Sequence, residues 1–168
     1  MSVKIKTREV IPHVVLALCF ALAFVAAVRS GSATDAIDRG GIIQVQSAYD
    51  VEETVTRLKS TVEGLGIRLF ATVDQTALAT GAGMPVHPSR LIVFGNPALV
   101  GRFVTAAPTA GLDWPVRLLV YQDPAGRVWA AYSDFAHIAR RHGIDPADPA
   151  FRTATSVVAT ITASIRAP

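Results

Sequence analysis

The sequence predicts an α+β fold: an antiparallel sheet of four to five strands with helices packed on one face, ordered β-α-β(4)-α with short helical inserts. Three observations predict it. After one strand and one amphipathic helix, strand-like segments follow one another with only short helical pieces between them. A turn tetrapeptide, Asp123-Pro124-Ala125-Gly126, joins two of those segments. A second amphipathic helix comes after the last strand. Runs of strands with flanking helices give a sheet covered on one side.

Each element has a local cause. Ile42 to Ala48 is a short strand. Asp50 and Glu53 have capping-box spacing, with Asp in the cap role. Val51, Val55, Leu58, Val62 and Leu65 then recur at three- and four-residue steps, one apolar stripe. Gly64 and Gly66 can end that helix. Arg68 to Val73 is a second strand. Asp74 to Ser89 is a long segment of polar and small residues with Gly81, Gly83, Pro85 and Pro88. Arg90 to Phe94 is a third strand, broken by Gly95-Asn96-Pro97. Asn96 and Pro97 suit an N-cap and a first helical turn, so a short helix runs from Ala98 to about Ala106. Pro108 to Pro115 is a loop. Val116 to Gln122 and Arg127 to Ser133 form a hairpin, with Pro second and Gly last in a type I turn. Asp134 caps a short helix through His142. Asp148 and Pro149 open the last helix, whose stripe is Phe151, Ala154, Val158, Ile161 and Ile165.

Ahead of these elements lies a leader. Met1 to Glu9 is basic, and Val10 to Val28 carries no charge. The core of that run, Val14 to Val28, suits a signal peptide, while the full run just suffices to span a bilayer. Residues 1–33 are therefore a signal peptide cut after Ala33 or an N-terminal membrane anchor, with residues 10–28 the only membrane contact. Either way the domain at 42–166 is expected outside the cytoplasmic membrane, periplasmic or tethered to its outer face. Residues 34–41 look like a flexible linker.

Charge excludes one large class of function. The chain carries a net +3, but Lys4, Lys6, Arg8 and Arg29 sit in the leader against Glu9 alone. From Thr34 onward twelve basic residues balance twelve acidic ones. The folded part lacks the basic footprint that nucleic-acid binding begins with. The one cysteine, Cys19, lies in the leader, so the domain can form neither a disulfide nor a thiolate metal site.

No motif specifies a reaction. There is no Gly-x-Ser-x-Gly elbow. Gly81-Ala82-Gly83 has no third glycine and is followed by Pro85, so it reads as a loop and not a phosphate cradle. His137 and His142 are five apart, which splays them on a helix, and His87 lies between prolines. They read as surface histidines, with no metal site expected. Asp74, Asp113 and Asp134 could pair as acid and base only by converging, and each has a local role as a cap or turn residue. Trp129 alternates with Val128 and Ala130, so one of these faces lies outside the helix-covered core. Core packing is the expected role of both Trp114 and Trp129.

The stretches Arg90-Leu-Ile-Val-Phe-Gly-Asn-Pro97, Ala107-Pro-Thr-Ala-Gly-Leu-Asp-Trp-Pro115, Leu118-Leu-Val-Tyr-Gln-Asp123, Tyr132-Ser-Asp134 and Arg141-His-Gly-Ile144 carry a resemblance. The chain resembles the bacterial domain-of-unknown-function family 302 over about residues 42 to 166. The resemblance implies a TATA-binding-protein-like β-α-β(4)-α fold and a homodimer, and brings no established activity. The family often has Asp-His-Ala-Ala where this chain has Asp74-Gln75-Thr76-Ala77, so any chemistry of that His is absent here. It often has Gly-Thr-Pro-Leu-Met after Asn-Pro, where this chain has Leu99-Val100-Gly101-Arg102-Phe103 after Ala98.

The expectation is a homodimeric, non-catalytic binding or interaction domain that needs no cofactor. It could take a small apolar or amphipathic ligand, and no nucleic acid. The alternative is a small-molecule enzyme using polar residues at the strand ends. Asp74, Asn96, Asp134 and His137 are the residues expected at either kind of site.

Overall fold

The structure is a computed structural model and describes residues 36–37 and 40–167. The leader, Cys19 and the cut after Ala33 lie outside the described residues. The elements run β1 (Ala36–Ile37), β2 (Ile42–Gln46), α1 (Val51–Gly64), β3 (Arg68–Asp74), α2 (Gln75–Gly81), β4 (Ser89–Gly95), α3 (Pro97–Ala106), a 3-10 turn (Pro108–Asp113), β5 (Val116–Gln122), β6 (Val128–Ser133), α4 (Phe135–Arg141) and α5 (Pro149–Ala163). No helix among the described residues is long and apolar enough to cross a membrane.

The strands form one antiparallel sheet in the order β1-β2-β6-β5-β4-β3. The fold is thus the expected α+β arrangement. Within 34–41, expected as a flexible linker, Ala36–Ile37 pairs with β2 as a short edge strand. A bulge between Leu69 and Ala71 shifts the register of β3 against β4.

Alternation decides the two faces. Ile43 and Val45, Ile92 and Phe94, Leu118 and Val120, and Val128, Ala130 and Tyr132 point to one side and are buried. They join the stripes of α1 (Val51, Val55, Leu58, Val62) and α5 (Phe151, Ala154, Val158, Ile161) in one core, with Phe135 and Ile138 of α4. Phe103 of α3 stacks on Phe151 at 4.3 Å between ring centroids, which seats α3 on the last helix. Leu58 has no exposed surface. Truncating such a residue to Ala costs about 2–5 kcal/mol, since the lost burial adds to the cavity left behind.

Two parts depart from expectation for visible reasons. The segment after β3 contains helix α2, capped by Asp74, whose carboxylate accepts from Ala77 N at 2.8 Å. None of its residues is buried, so it has no apolar stripe to reveal it. Pro108–Asp113, read as a loop, winds into a 3-10 turn.

Candidate functional site

The four expected site residues do not converge. β4 and β6 run in the same direction and β3 runs opposite. Asn96 and Asp134 therefore follow strand ends on one edge of the sheet, and Asp74 ends a strand on the other. A seven-residue strand separates those edges by roughly 20 Å at ~3.4 Å per residue.

Each residue is also occupied. Asp74 caps α2 and pairs with Arg90 Nη1 at 2.7 Å, while Arg90 Nη2 reaches Glu52 at 2.8 Å. At the next position Gln75 accepts from the Ser89 hydroxyl at 2.8 Å. Asn96 caps α3, accepting from Ala98 N at 2.9 Å. Asp134 accepts from Ala136 N and His137 N at 3.1 Å and caps α4. Its own N–H donates to Gly41 O at 2.8 Å. His137 lies against Gly41, whose φ of +74° and lack of a Cβ make room for the ring. Asp134, His137 and Gly41 thus form one packed corner, and Asp74 belongs to another.

Among the described residues no three His, Cys, Asp or Glu side chains are grouped to hold a metal ion. The nearest thing to a catalytic chain is one the individual residues did not announce. His142 Nε2 meets Asp113 Oδ2 at 2.7 Å, and His142 Nδ1 meets Thr109 Oγ1 at 3.0 Å. A carboxylate only accepts, so Nε2 carries the proton, and in the neutral ring Nδ1 accepts from the threonine hydroxyl. Asp113 also receives Arg117 at 3.5 Å and Arg141 at 3.4 Å. Both side chains of the central pair are buried, and they tie the 3-10 turn to the end of α4.

The sheet face away from the core is apolar at its centre. The register aligns Val73, Leu91, Leu119 and Ala131 in one row across four strands. Ser89, Tyr121, Trp129 and Gln46 form the next row, and Ala71, Val93 and Arg117 the row on the other side. Trp129 therefore stands on this open face and not in the core, where it was expected. Its Nε1 donates to Asp123 Oδ2 at 3.0 Å, and Arg127 Nε donates to the same oxygen at 2.8 Å. Partial burial pushes the Asp123 carboxyl up, but the hydrogen bonds from Trp129 and from Arg127 backbone and side chain outweigh it and hold the pKa at about 2. Burial and the Asp123 charge, opposed by Arg127, raise the Tyr121 phenol above its ordinary value.

On the core side, a cavity of about 380 Å³ opens where β4 ends. Its wall includes Leu65, Ile67, Phe94, Leu99, Trp114 and Val157, with Asn96 and Arg102 from the start and middle of α3. Asn96 is the one expected site residue in that wall. Trp114 packs edge-on against Phe70 at 5.5 Å, and its Nε1 is buried without a hydrogen-bond partner among the described residues.

Comparison with known proteins fits this architecture. The chain is 36% identical over 122 residues to the fluoride-specific ion channel FluC 1 of Brucella suis biovar 1 (strain 1330), covering 70% of this chain and 48% of that protein. The same identity relates it to FluC 1 of Brucella abortus biovar 1 (strain 9-941), with 45% of that protein covered. The chain thus spans about half the length of the curated relatives it matches. A crystal structure of an uncharacterized conserved DUF302 protein from Bacillus stearothermophilus superposes with a TM-score of 0.63 at 19% identity, over 74% of this chain and 95% of that one, and shares the fold. The model of the family described as domain of unknown function DUF302 matches residues 43–163, and the chain belongs to that family.

Proposed function

We propose that this is a non-catalytic interaction domain, held outside the cytoplasmic membrane, that pairs with a second copy of itself through the open face of the sheet. The observation that carries the reading is the half-buried apolar row Val73–Leu91–Leu119, which ends on the buried Ala131 and is flanked by Tyr121 and Trp129. An apolar surface of this kind marks an interaction site. The occupant is argued from charge. Arg117 is the only charged side chain in the three rows, and it is paired with Asp113. With a single guanidinium set beside a carboxylate, the face meets its own copy with little like-charge contact, as a two-fold interface requires.

The test is the mass in solution of the purified protein by sedimentation equilibrium. A dimer at micromolar concentration that becomes a monomer in Leu119→Arg, with unchanged circular dichroism, supports the reading. A monomeric wild type overturns it. Location is tested separately, by fusing alkaline phosphatase to the C-terminus: activity in intact cells is expected, and its absence overturns export.

The Brucella relatives favour a second reading, in which the domain works beside an ion-conducting membrane protein. This chain matches less than half of proteins named as fluoride channels, and none of its described helices can cross a membrane. Co-expression with the unmatched half of the Brucella suis protein tests it. Co-purification that survives Leu119→Arg would place the contact elsewhere than the sheet.

A further inference from the structure

We infer that the cavity beneath α3 is a binding site for a medium-chain monocarboxylate, with the alkyl chain inside and the carboxylate at Arg102. The cavity lies on the helix side of the sheet, so this inference stands apart from the pairing proposed above, and the two fail separately.

Three features of the wall select the ligand. Its interior is hydrocarbon: Leu65 and Ile67 come from the turn after α1, Phe94 from β4, Leu99 from α3 and Val157 from α5. An apolar body is stabilised there by each methylene it takes out of water. At the ~30 Å³ of one liquid water, about 380 Å³ holds roughly a dozen groups of methylene size. That sets the chain length at about eight to twelve carbons.

The charge of the wall has one sign. Arg102 is the only ionisable residue in the lining; no Asp, Glu, Lys or His contributes. Arg102 is exposed. Every ion pair in the described part of the molecule leaves it out. A guanidinium at the mouth of an apolar cavity, with no acid to neutralise it, favours an anion and rejects a cation. The cavity also reaches the first turn of α3, where Ala98 lines it and the helix dipole is positive.

The third feature is the Trp114 indole. Its Nε1 has no acceptor among the described residues, and a Cβ on Gly95 would come within 2.9 Å of it. The missing side chain at Gly95 lets the ring lie on the strand end that floors the cavity. The indole ring is part of the cavity wall, so its fluorescence reports on what enters. A cation at the mouth of a mostly apolar pocket is the arrangement an amphipathic anion needs.

The experiment is isothermal titration of the purified full-length chain with decanoate, decanol and decyltrimethylammonium. Saturable one-to-one binding of decanoate is expected, with decanol weaker by tenfold or more and the cation not binding. Arg102→Gln, at an exposed helical position, is expected to weaken decanoate about tenfold and leave decanol unchanged. Val157→Trp is expected to fill the cavity and abolish both. Saturable quenching of tryptophan fluorescence by decanoate in Trp129→Phe, where Trp114 is the only tryptophan left, reports the site directly. The inference is overturned by absence of saturable decanoate binding at millimolar concentration. It is equally overturned if decanoate and decanol bind alike, or if Arg102→Gln binds decanoate as wild type does. Decanoate binding that survives Val157→Trp in a folded protein places it outside this cavity and also overturns the inference.

Discussion

His142 donates through Nε2 to Asp113 Oδ2 at 2.7 Å, joining residues 29 positions apart. The bond fixes the 3-10 turn before β5 to the last turn of α4. Two of the stretches that carry the family resemblance meet in this one contact. His142→Ala leaves the buried Asp113 carboxylate with only the longer contacts to Arg117 and Arg141. We expect a loss of about 1–3 kcal/mol, the cost of an under-satisfied buried acceptor. Urea unfolding measures it, and a change under 0.5 kcal/mol would show the contact to be incidental.

Gly95→Ala should be costly although the backbone there is ordinary. The added Cβ would lie 2.9–3.0 Å from three atoms of the Trp114 indole. The ring must move off β4 or the strand must bend. Overpacking of this kind costs about 1–3 kcal/mol. Thermal denaturation should show a lower Tm, and the fluorescence of Trp114 in a Trp129→Phe background should shift as its ring is displaced.

Gly41→Ala is expected to be worse, because two causes add. The residue has φ of +74°, a conformation in which L side chains are strained, and its Cβ would run into the His137 ring. Gly41→Ala in His137→Ala separates them. Removing the ring should recover the steric part and leave a strain of about 1–2 kcal/mol. Full recovery would mean that the left-handed backbone costs nothing there.

Asp123 gives a pH dependence of defined sign. Its pKa is about 2 in the folded protein against an ordinary 3.8. The folded state therefore holds this proton less tightly than the unfolded chain. The stabilising contribution is complete above pH 3.8 and is lost as the pH falls toward 2. Trp129→Phe removes one of the hydrogen bonds responsible. The carboxyl resonance of Asp123, followed by NMR titration, should then titrate at higher pH than in wild type. An unchanged midpoint would assign the depression to Arg127 alone.

Most of the fold could be read from the sequence because its signals are periodic or local. The stripes of α1 and α5, the Asn96-Pro97 helix start and the Asp123–Gly126 turn each depend on residues within a few positions of one another. Helix α2 buries nothing, so no pattern in the sequence distinguishes it from a loop. The site was less legible. Asp74, Asn96 and Asp134 come at strand ends and His137 three residues after Asp134, and the sequence does not say which edge of the sheet each end occupies. The Asp113–His142 bond and the cavity at Arg102 arise from segments that meet only in three dimensions. The sequence points Trp129 to the core and the structure puts it on the other face, because Val128 and Ala130 are hydrophobic too and alternation alone does not say which face the helices cover.

The strand order also governs when the domain can form. β2 is the first long strand of the sheet in sequence but lies beside β6, with Ile43 opposite Tyr132 and Gln46 opposite Trp129. Nearly the whole domain must emerge before its first long strand finds this partner. Contacts so distant along the chain make for slow assembly, and until β6 arrives β2 presents an unpaired edge to other chains. A ribosome-bound fragment ending before Val128 should therefore remain protease-sensitive at Ile42–Gln46, and protection there should appear only once Ser133 has cleared the exit tunnel.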